Sequence, residues 1–441
     1  MRRICLTLPT NRACAPMVSA LGREALYAAR HFDVEVHLLI LDSSAPADFA
    51  EHARAARAVQ GAPNVVVHHF DEDRQRDVLR QVVHRADVLK PDLVLDLMLP
   101  SALSYGACTN RAFLIAAALG CASVHRRDSD SAYQELDGEP VYPIHHELMS
   151  LGKRAADAAP GVTETVLDPA HDDKPVVLVG SSFIGELSVD ISEIQELDRE
   201  VYYDVVSLWA PPHWPEAKKR DLVDESFKGA GLDPFTADQA VLTRVDPMRI
   251  DMCNIAFHRV HELIPLPPAT DTIGSDYFLM HVVYDATLPG VLHNRNIVNF
   301  YTGERRTDAG FVAYQNRFTK FFLSMLYLNF VYEEMERAGA ELLDERHDVR
   351  AARIARLVRD STRLDTAENE QRLDVLERSY RRLGGKYAAF ADALGPRRRR
   401  LIDEARQDME DFALLIEVWA ALIEAAGAGL PATTAVSSRL R

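Results

Sequence analysis

Strand-like and helix-like segments alternate along the first 130 residues, and that order restricts what the chain can fold into more than any other feature. Residues 4–8 read as a strand, 18–31 as an amphipathic helix, and 34–41 as a strand whose near-continuous apolar character suits burial on both faces. Residues 45–60 then read as a helix, 64–70 as a strand, 74–89 as a helix and 93–97 as a strand ahead of Pro100. Such an order calls for a parallel sheet with covered faces. Ligands of open α/β sheets sit outside the carboxyl ends of the strands, so residues 9–12, 42–44 and 98–104 are expected to share one rim.

Further along, 105–118 reads as a helix with Ser104 as its N-cap and Gly120 behind it, and 122–126 as a strand. The stretch 142–207 is helix-poor, with strands expected at 176–180 and 201–207, and 210–215 is a Pro-rich loop. From 311 to 427 the pattern turns helical, interrupted at Gly384-Gly385 and at Gly395-Pro396. The fold class expected is therefore α/β, with a mostly parallel mixed sheet in residues 1–309, an all-α domain in 310–431 and a frayed tail at 432–441. The helical domain is expected to cover a cleft or to form a homo-oligomer contact.

Asp and Glu together number 66 against 50 Lys and Arg, a net charge of −16 that opposes binding to nucleic acid or to anionic lipid surfaces. The apolar run after Arg2-Arg3 stops at Pro9, too short for a signal-peptide core, and no other run is long and uncharged enough to span a membrane. The 5 cysteines form no C-x-x-C pair, which fits reduced, buried thiols better than a disulfide frame or a zinc site. A cytoplasmic location is expected.

The sharpest chemical signal is Asp128-Ser129-Asp130, behind the strand at 122–126. Two carboxylates two residues apart in an extended turn can hold a hard divalent cation such as Mn²⁺ or Mg²⁺, which prefers oxygen ligands and bridges phosphates. A second triplet, Asp71-Glu72-Asp73, leads straight into a charged helix and reads as its cap and first turn. His145 and His146 stand side by side in what reads as an extended segment, where their side chains would face opposite ways; that speaks against a two-His metal site, and either is expected to line an acceptor cleft.

Three stretches around the D-x-D resemble the GT-A glycosyltransferases, the nucleotide-diphospho-sugar transferase superfamily, over residues 3–305. They are Leu6-Thr7-Leu8-Pro9-Thr10-Asn11-Arg12, Leu39-Ile40-Leu41-Asp42-Ser43-Ser44 and Gly106-Ala107-Cys108-Thr109-Asn110-Arg111-Ala112. The resemblance implies a GT-A-like fold, donor binding by Thr10, Asn11, Arg12 and Asp42, sugar or phosphate contacts from Arg111, and metal ligation by Asp130 with help from Asp128. It also implies that Asp276, in Ser275-Asp276-Tyr277, is the acid beside the acceptor, and that His293 completes the metal shell. Arg295 and Arg305 are candidates to meet the leaving diphosphate. Two features depart from the family pattern: Asn110-Arg111 is in the reverse of the usual order, and the strand before the D-x-D ends in His125-Arg126-Arg127. Arg126 and Arg127 either grip a diphosphate or pair with surrounding acids. Asp276 either acts as general base or, with Ser275, caps the helix behind it.

The function expected on these grounds is a metal-dependent glycosyltransferase, of hexosyltransferase type and open stereochemistry. It would move a sugar from a nucleoside-diphosphate donor to a small soluble acceptor, with Mn²⁺ or Mg²⁺ as cofactor. The alternatives are a non-catalytic sugar-nucleotide binder or scaffold, and a sugar nucleotidyltransferase.

Overall fold

The computed structural model describes residues 1–187, 191–300 and 307–430; the tail expected at 432–441 and Arg305 lie outside them. At its centre is a nine-stranded sheet in the order Val65–Phe70, Val34–Asp42, Arg2–Thr10, Ser123–Arg127, Asn254–His258, Leu178–Gly180, Gly290–His293, Ala240–Thr243 and Glu164–Thr165. The first four of these are parallel. Asn254–His258 runs against both of its neighbours, and Leu178–Gly180 and Gly290–His293 are again parallel to one another. The sheet is thus mixed and mostly parallel, as the expected fold class has it, with the parallel part lying where the elements alternate, and a helical region follows it.

Pleating sorts the strand residues between two cores. Ile4, Leu6, Leu8, Leu38 and Ile40 pack with Val18 and Leu21 of helix Ala15–His31, while Cys5, Leu39 and Leu41 pack with Leu79 and Phe113 on the other side. Burial on both faces is why Val34–Asp42 reads as a continuous apolar run. The second core continues into helices Asp308–Ala338, Ala351–Ser361, Ala367–Leu383 and Arg398–Gly427. The last of these packs against helices Glu72–Ala86 and Tyr105–Ala118, and its fully buried Trp419 donates its indole N–H to the His261 carbonyl at 3.0 Å. The helical run breaks where expected, at Gly384 and Gly385, both at positive φ. Among the described residues no helix is long and apolar enough to cross a membrane, and all five cysteines are free.

Two expected strands are helices. Residues 93–97 fall within helix Pro91–Met98, which Pro91 opens and which buries Val94 and Met98, one turn apart. Residues 201–207 fall largely within helix Arg199–Val206, whose N-cap Asp198 accepts from the amides of Glu200 and Val201 and which buries Val201 and Val205. In both, a short β-branched or apolar run hides a period of four, and Pro91 at the first helical position in one and the cap Asp198 in the other decide. His145 and His146 also lie on a helix, Ile144–Ser150, rather than in an extended segment.

The last residue of helix Phe278–Asp285 yields a stability prediction. Asp285 Oδ2 is buried and has no hydrogen-bond partner among the described residues. Burial, with Glu336 adding and Arg244 opposing, pushes its carboxyl up to about 7. The folded value lies above that of the unfolded chain, so ionisation opposes folding: the penalty is absent below about pH 4, grows through the interval and is complete above about pH 7. Asp285→Asn is expected to raise the melting temperature by several degrees at pH 8 and to change it little at pH 4.

Candidate active site

The carboxyl rim of the sheet opens into a cleft of about 310 Å³ lined by the turn 9–12, Ser43, the loop 99–104, Arg111, Arg126 and the turn 128–130. The stretches expected to share a rim do so. Along Ser123–Arg127 the side chains alternate between faces. Arg126 is directed to the rim, where its Nη2 lies 3.0 Å from Asp128 and 3.9 Å from Asp276, and its Nη1 donates to the Met252 carbonyl. Asp130 pairs with Arg12 at 2.9 Å.

A fourth carboxylate belongs to this group, and nothing local in the sequence marks it. Asn254–His258 runs antiparallel with Asn254 opposite Arg127, so its entry turn, not its exit, stands at the rim. That direction sets Asp251 beside Asp128 and Asp276. Asp251 accepts from the Cys253 amide at 2.8 Å and from the Tyr277 hydroxyl at 2.5 Å.

Asp276 is held by a loop that is itself pinned to helix Tyr105–Ala118. Asn110 accepts the Leu266 amide and donates to the Leu266 carbonyl, both at 2.8 Å, and Ser104 donates to the Pro268 carbonyl at 3.0 Å while capping the helix at the Ala107 amide. A Cβ on Gly106 would stand 1.9 Å from the Pro267 carbonyl oxygen, so only glycine permits this approach. The loop returns through Gly274 into the turn Ser275–Tyr277, and neither Ser275 nor Asp276 makes a side-chain capping bond to the helix behind it.

Burial, together with repulsion from Asp130, Asp251 and Asp276 and against the pull of Arg126, pushes Asp128 up to about 6. Burial, opposed by Arg126 and reinforced by Asp251, brings Asp276 to about 6 as well. Asp128 and Asp276 share the fully buried guanidinium of Arg126, Asp130 pairs with Arg12, and Asp251 adds a further carboxylate, so the group keeps an excess of negative charge on oxygen atoms. Oxygen donors of this kind are those a hard divalent cation such as Mn²⁺ or Mg²⁺ takes, but among the described residues no three of these carboxylates bring their ligand atoms within 4.8 Å of one another.

Of the other residues singled out in the sequence, some line the cleft and the rest stand elsewhere. Thr10 and Asn11 line the cleft. Arg111 also lines it, but its guanidinium donates to Gln75 and to the Met98 carbonyl, each at 2.8 Å. Arg127 faces away from Arg126 and is fully buried between Glu24, at 2.7 Å, and Glu147, at 2.9 Å. Beside it His125 bonds Glu147 at 2.7 Å. The cross-strand register places His293 in the row of Arg127, on the face opposite Arg126. There it stacks on His146, and its Nδ1 accepts the Arg295 amide at 3.2 Å; burial holds its ring well below the usual imidazole range. Arg295 pairs with Asp238 at 2.7 Å. His145 bonds the Tyr27 hydroxyl and His146 bonds Asp238.

Asp42 ends its strand at the rim, yet its carboxylate turns inward. It accepts from His52 and His69, each at 2.8 Å, and from the amide and hydroxyl of Ser44. Burial would raise its carboxyl, but these hydrogen bonds outweigh it and hold the group well below the usual carboxylate range. The donor atoms of Asp42, His52 and His69 lie within 4.8 Å of one another. The Cys14 amide donates to His52 Nε2 at 2.9 Å, so Nδ1 carries the ring proton and gives it to Asp42. A metal would need that lone pair, and the three residues are satisfied as a hydrogen-bond network.

A family described as of unknown function, DUF6271, matches residues 2–435 of this sequence. The chain belongs to that family. No curated protein matches it. Among solved structures it is similar to the mannosyltransferase PcManGT from Pyrobaculum calidifontis, in complex with GDP-Man and Mn²⁺, at 13% identity and a TM-score of 0.31 over 95% of this chain and 88% of that one.

The buried ion cluster beneath the cleft sets a prediction for Arg127. Removing one member of such a cluster strands the others uncompensated, at about 3–5 kcal/mol. Arg127→Met is expected to destabilise the fold by that amount in urea melts; a side chain serving only to grip a ligand would leave the melt unchanged.

Proposed function

We propose that this protein is a metal-dependent glycosyltransferase of GT-A-like architecture. It would move a sugar from a nucleoside-diphosphate donor to a small acceptor at the rim cleft, with residues 1–309 as the catalytic part and 310–431 as a helical part behind it. The observation that carries this reading is the cleft at the carboxyl ends of parallel strands that brings Asp128 and Asp130 to the turn 9–12, with Arg126 reaching Asp128 at 3.0 Å and Asp276 at 3.9 Å. Acidic oxygens at that place would suit a diphosphate bridged by a divalent cation.

On this reading Asp128 and Asp130 hold a Mn²⁺ or Mg²⁺ ion, which when bound neutralises the diphosphate leaving group. Thr10, Asn11 and Arg12 line the donor side, and Arg12 keeps Asp130 oriented through their ion pair. Asp42 orders the end of its strand through His52, His69 and Ser44. Asp276 is the general base. Its carboxyl, brought to about 6 by burial, is ionised at neutral pH yet basic enough to take a proton. The acceptor hydroxyl oxygen bonds to the anomeric carbon and its proton passes to Asp276. The bond from that carbon to the diphosphate oxygen breaks, and its electron pair leaves on the diphosphate.

The test is release of nucleoside diphosphate from a panel of sugar nucleotides, GDP-mannose included, in the presence of Mn²⁺. Asp130→Ala is expected to lower the release by about 100-fold or more while the far-UV spectrum and melting temperature stay near those of the parent. Tight nucleotide binding without turnover across a broad acceptor panel would favour a sugar-nucleotide-binding scaffold instead.

A further inference from the structure

A trough of about 460 Å³ lies apart from the rim cleft and shares no lining residue with it. Residues 209–214, helix Glu216–Glu225, the turn Pro247–Arg249 and helices Phe278–Asp285 and Asp308–Ala338 form its walls. Trp209, Trp214, Tyr284 and Tyr332 make those walls aromatic, and six carboxylates stand among them against two cations, Lys218 and Arg249. His281 adds no charge at neutral pH, since burial pushes its ring down to about 4. Both cations are engaged within the chain: the Lys218 ammonium lies 3.4 Å from the centroid of the Trp214 ring, and Arg249 pairs with Glu225 at 3.7 Å. Of the acids, Asp246 accepts the Met248 amide at 2.9 Å, Glu333 meets His213 at 3.1 Å, and Asp221 and Glu336 are exposed. Asp285 alone of the six is buried. It is 7% exposed, its Oδ2 has no hydrogen-bond partner, and its carboxylate makes no ion pair among the described residues. Arg244, the cation that acts on it from a distance, is committed elsewhere: it donates to the Tyr284 carbonyl at 3.0 Å and lies over the Tyr284 ring, 4.4 Å from its centroid.

We propose that this trough binds a small organic ammonium ion, its N–H groups received by Asp285 and its carbon skeleton laid along Trp209, Met248 and Tyr332. The inference goes beyond the reading given under Proposed function and does not rest on it. A buried carboxylate without a donor opposes folding, and such a group marks a partner that the chain itself does not supply. The sign of the lining decides the partner's charge, because an excess of acids repels phosphates and carboxylates and attracts cations. A bare metal ion is a poor fit: among the described residues no three of these carboxylates bring their ligand atoms within 4.8 Å of one another. An ammonium needs no such convergence. It donates to one carboxylate, gains from the field of Glu336 beside it, and rests its carbons on aromatic faces that attract cations. Lys218 over Trp214 and Arg244 over Tyr284 are cations of the chain already seated on rings of this trough. Burial and Glu336 bring the Asp285 carboxyl up to about 7, and a cation beside it would restore the ionised form. The volume falls in the range of roughly 300–1,000 Å³ usual for small-molecule sites.

The test is calorimetric titration of the full chain with phenethylamine at pH 8 in an amine-free buffer, with 2-phenylethanol and 3-phenylpropionate as the neutral and anionic controls. Saturable binding of phenethylamine at millimolar concentration or below is expected, with both controls weaker by about tenfold or more. Asp285→Asn removes the charge without lowering the melting temperature, and should weaken the amine by about tenfold or more. Glu336→Gln, at an exposed position where folding is not at stake, should weaken it by about threefold. Absence of saturable amine binding, equal binding of the alcohol, or an affinity untouched by Asp285→Asn overturns the assignment. Amine binding that survives Asp285→Asn and is lost in Asp130→Ala would put the cation among the rim acids, and overturns it equally.

Discussion

Arg126 is the buried cation on which the rim depends. A guanidinium without solvent is tolerated only among acids, and Asp128 and Asp276 are likewise tolerated only because it stands between them. The balance is incomplete: Arg126 and Arg12 stand against four carboxylates, and two of these, Asp128 and Asp276, are pushed up to about 6. Such frustrated electrostatics are a property of working sites more than of structural ones. The contrast with Arg127 is instructive, since the next residue along the same strand sits among Glu24, Glu147 and His125 in a closed network facing no cavity.

Geometry reaches that cluster from three separate parts of the chain. The parallel strand Ser123–Arg127 delivers Arg126 and the D-x-D turn, the antiparallel strand Asn254–His258 delivers Asp251 at its entry, and the loop clamped on Asn110 and Gly106 delivers Asp276. The Asn110-Arg111 order that departs from the glycosyltransferase pattern has a local meaning here. Asn110 binds the loop's backbone in both directions, and Arg111 reaches across to Gln75 and Met98. Both therefore set the shape of the cleft more than its contents.

Much of the fold was legible because burial on two faces and strand–helix alternation leave a direct mark on residue order. The parallel half of the sheet, the Ser104 cap, the Asp71 cap and the interruptions of the helical region all follow from local chemistry. Residues 93–97 and 201–207 were misread because a segment shorter than two turns shows its period poorly, and the deciding signals were Pro91 and Asp198 just outside it. His125-Arg126-Arg127 could have been parsed further: strand alternation alone separates the middle residue from its neighbours.

By itself the sequence determined the class of the sheet, the rim shared by residues 9–12, 42–44 and 98–104, and the type of side chain available there, because each depends on neighbours within a few positions. Only the tertiary structure decided that Asp42 faces inward, that His293 lies in the row of Arg127, and that Asp251 joins the acids. Those outcomes turn on strand direction, cross-strand register and the path of long loops. Each couples residues far apart in the chain, and no local propensity encodes them.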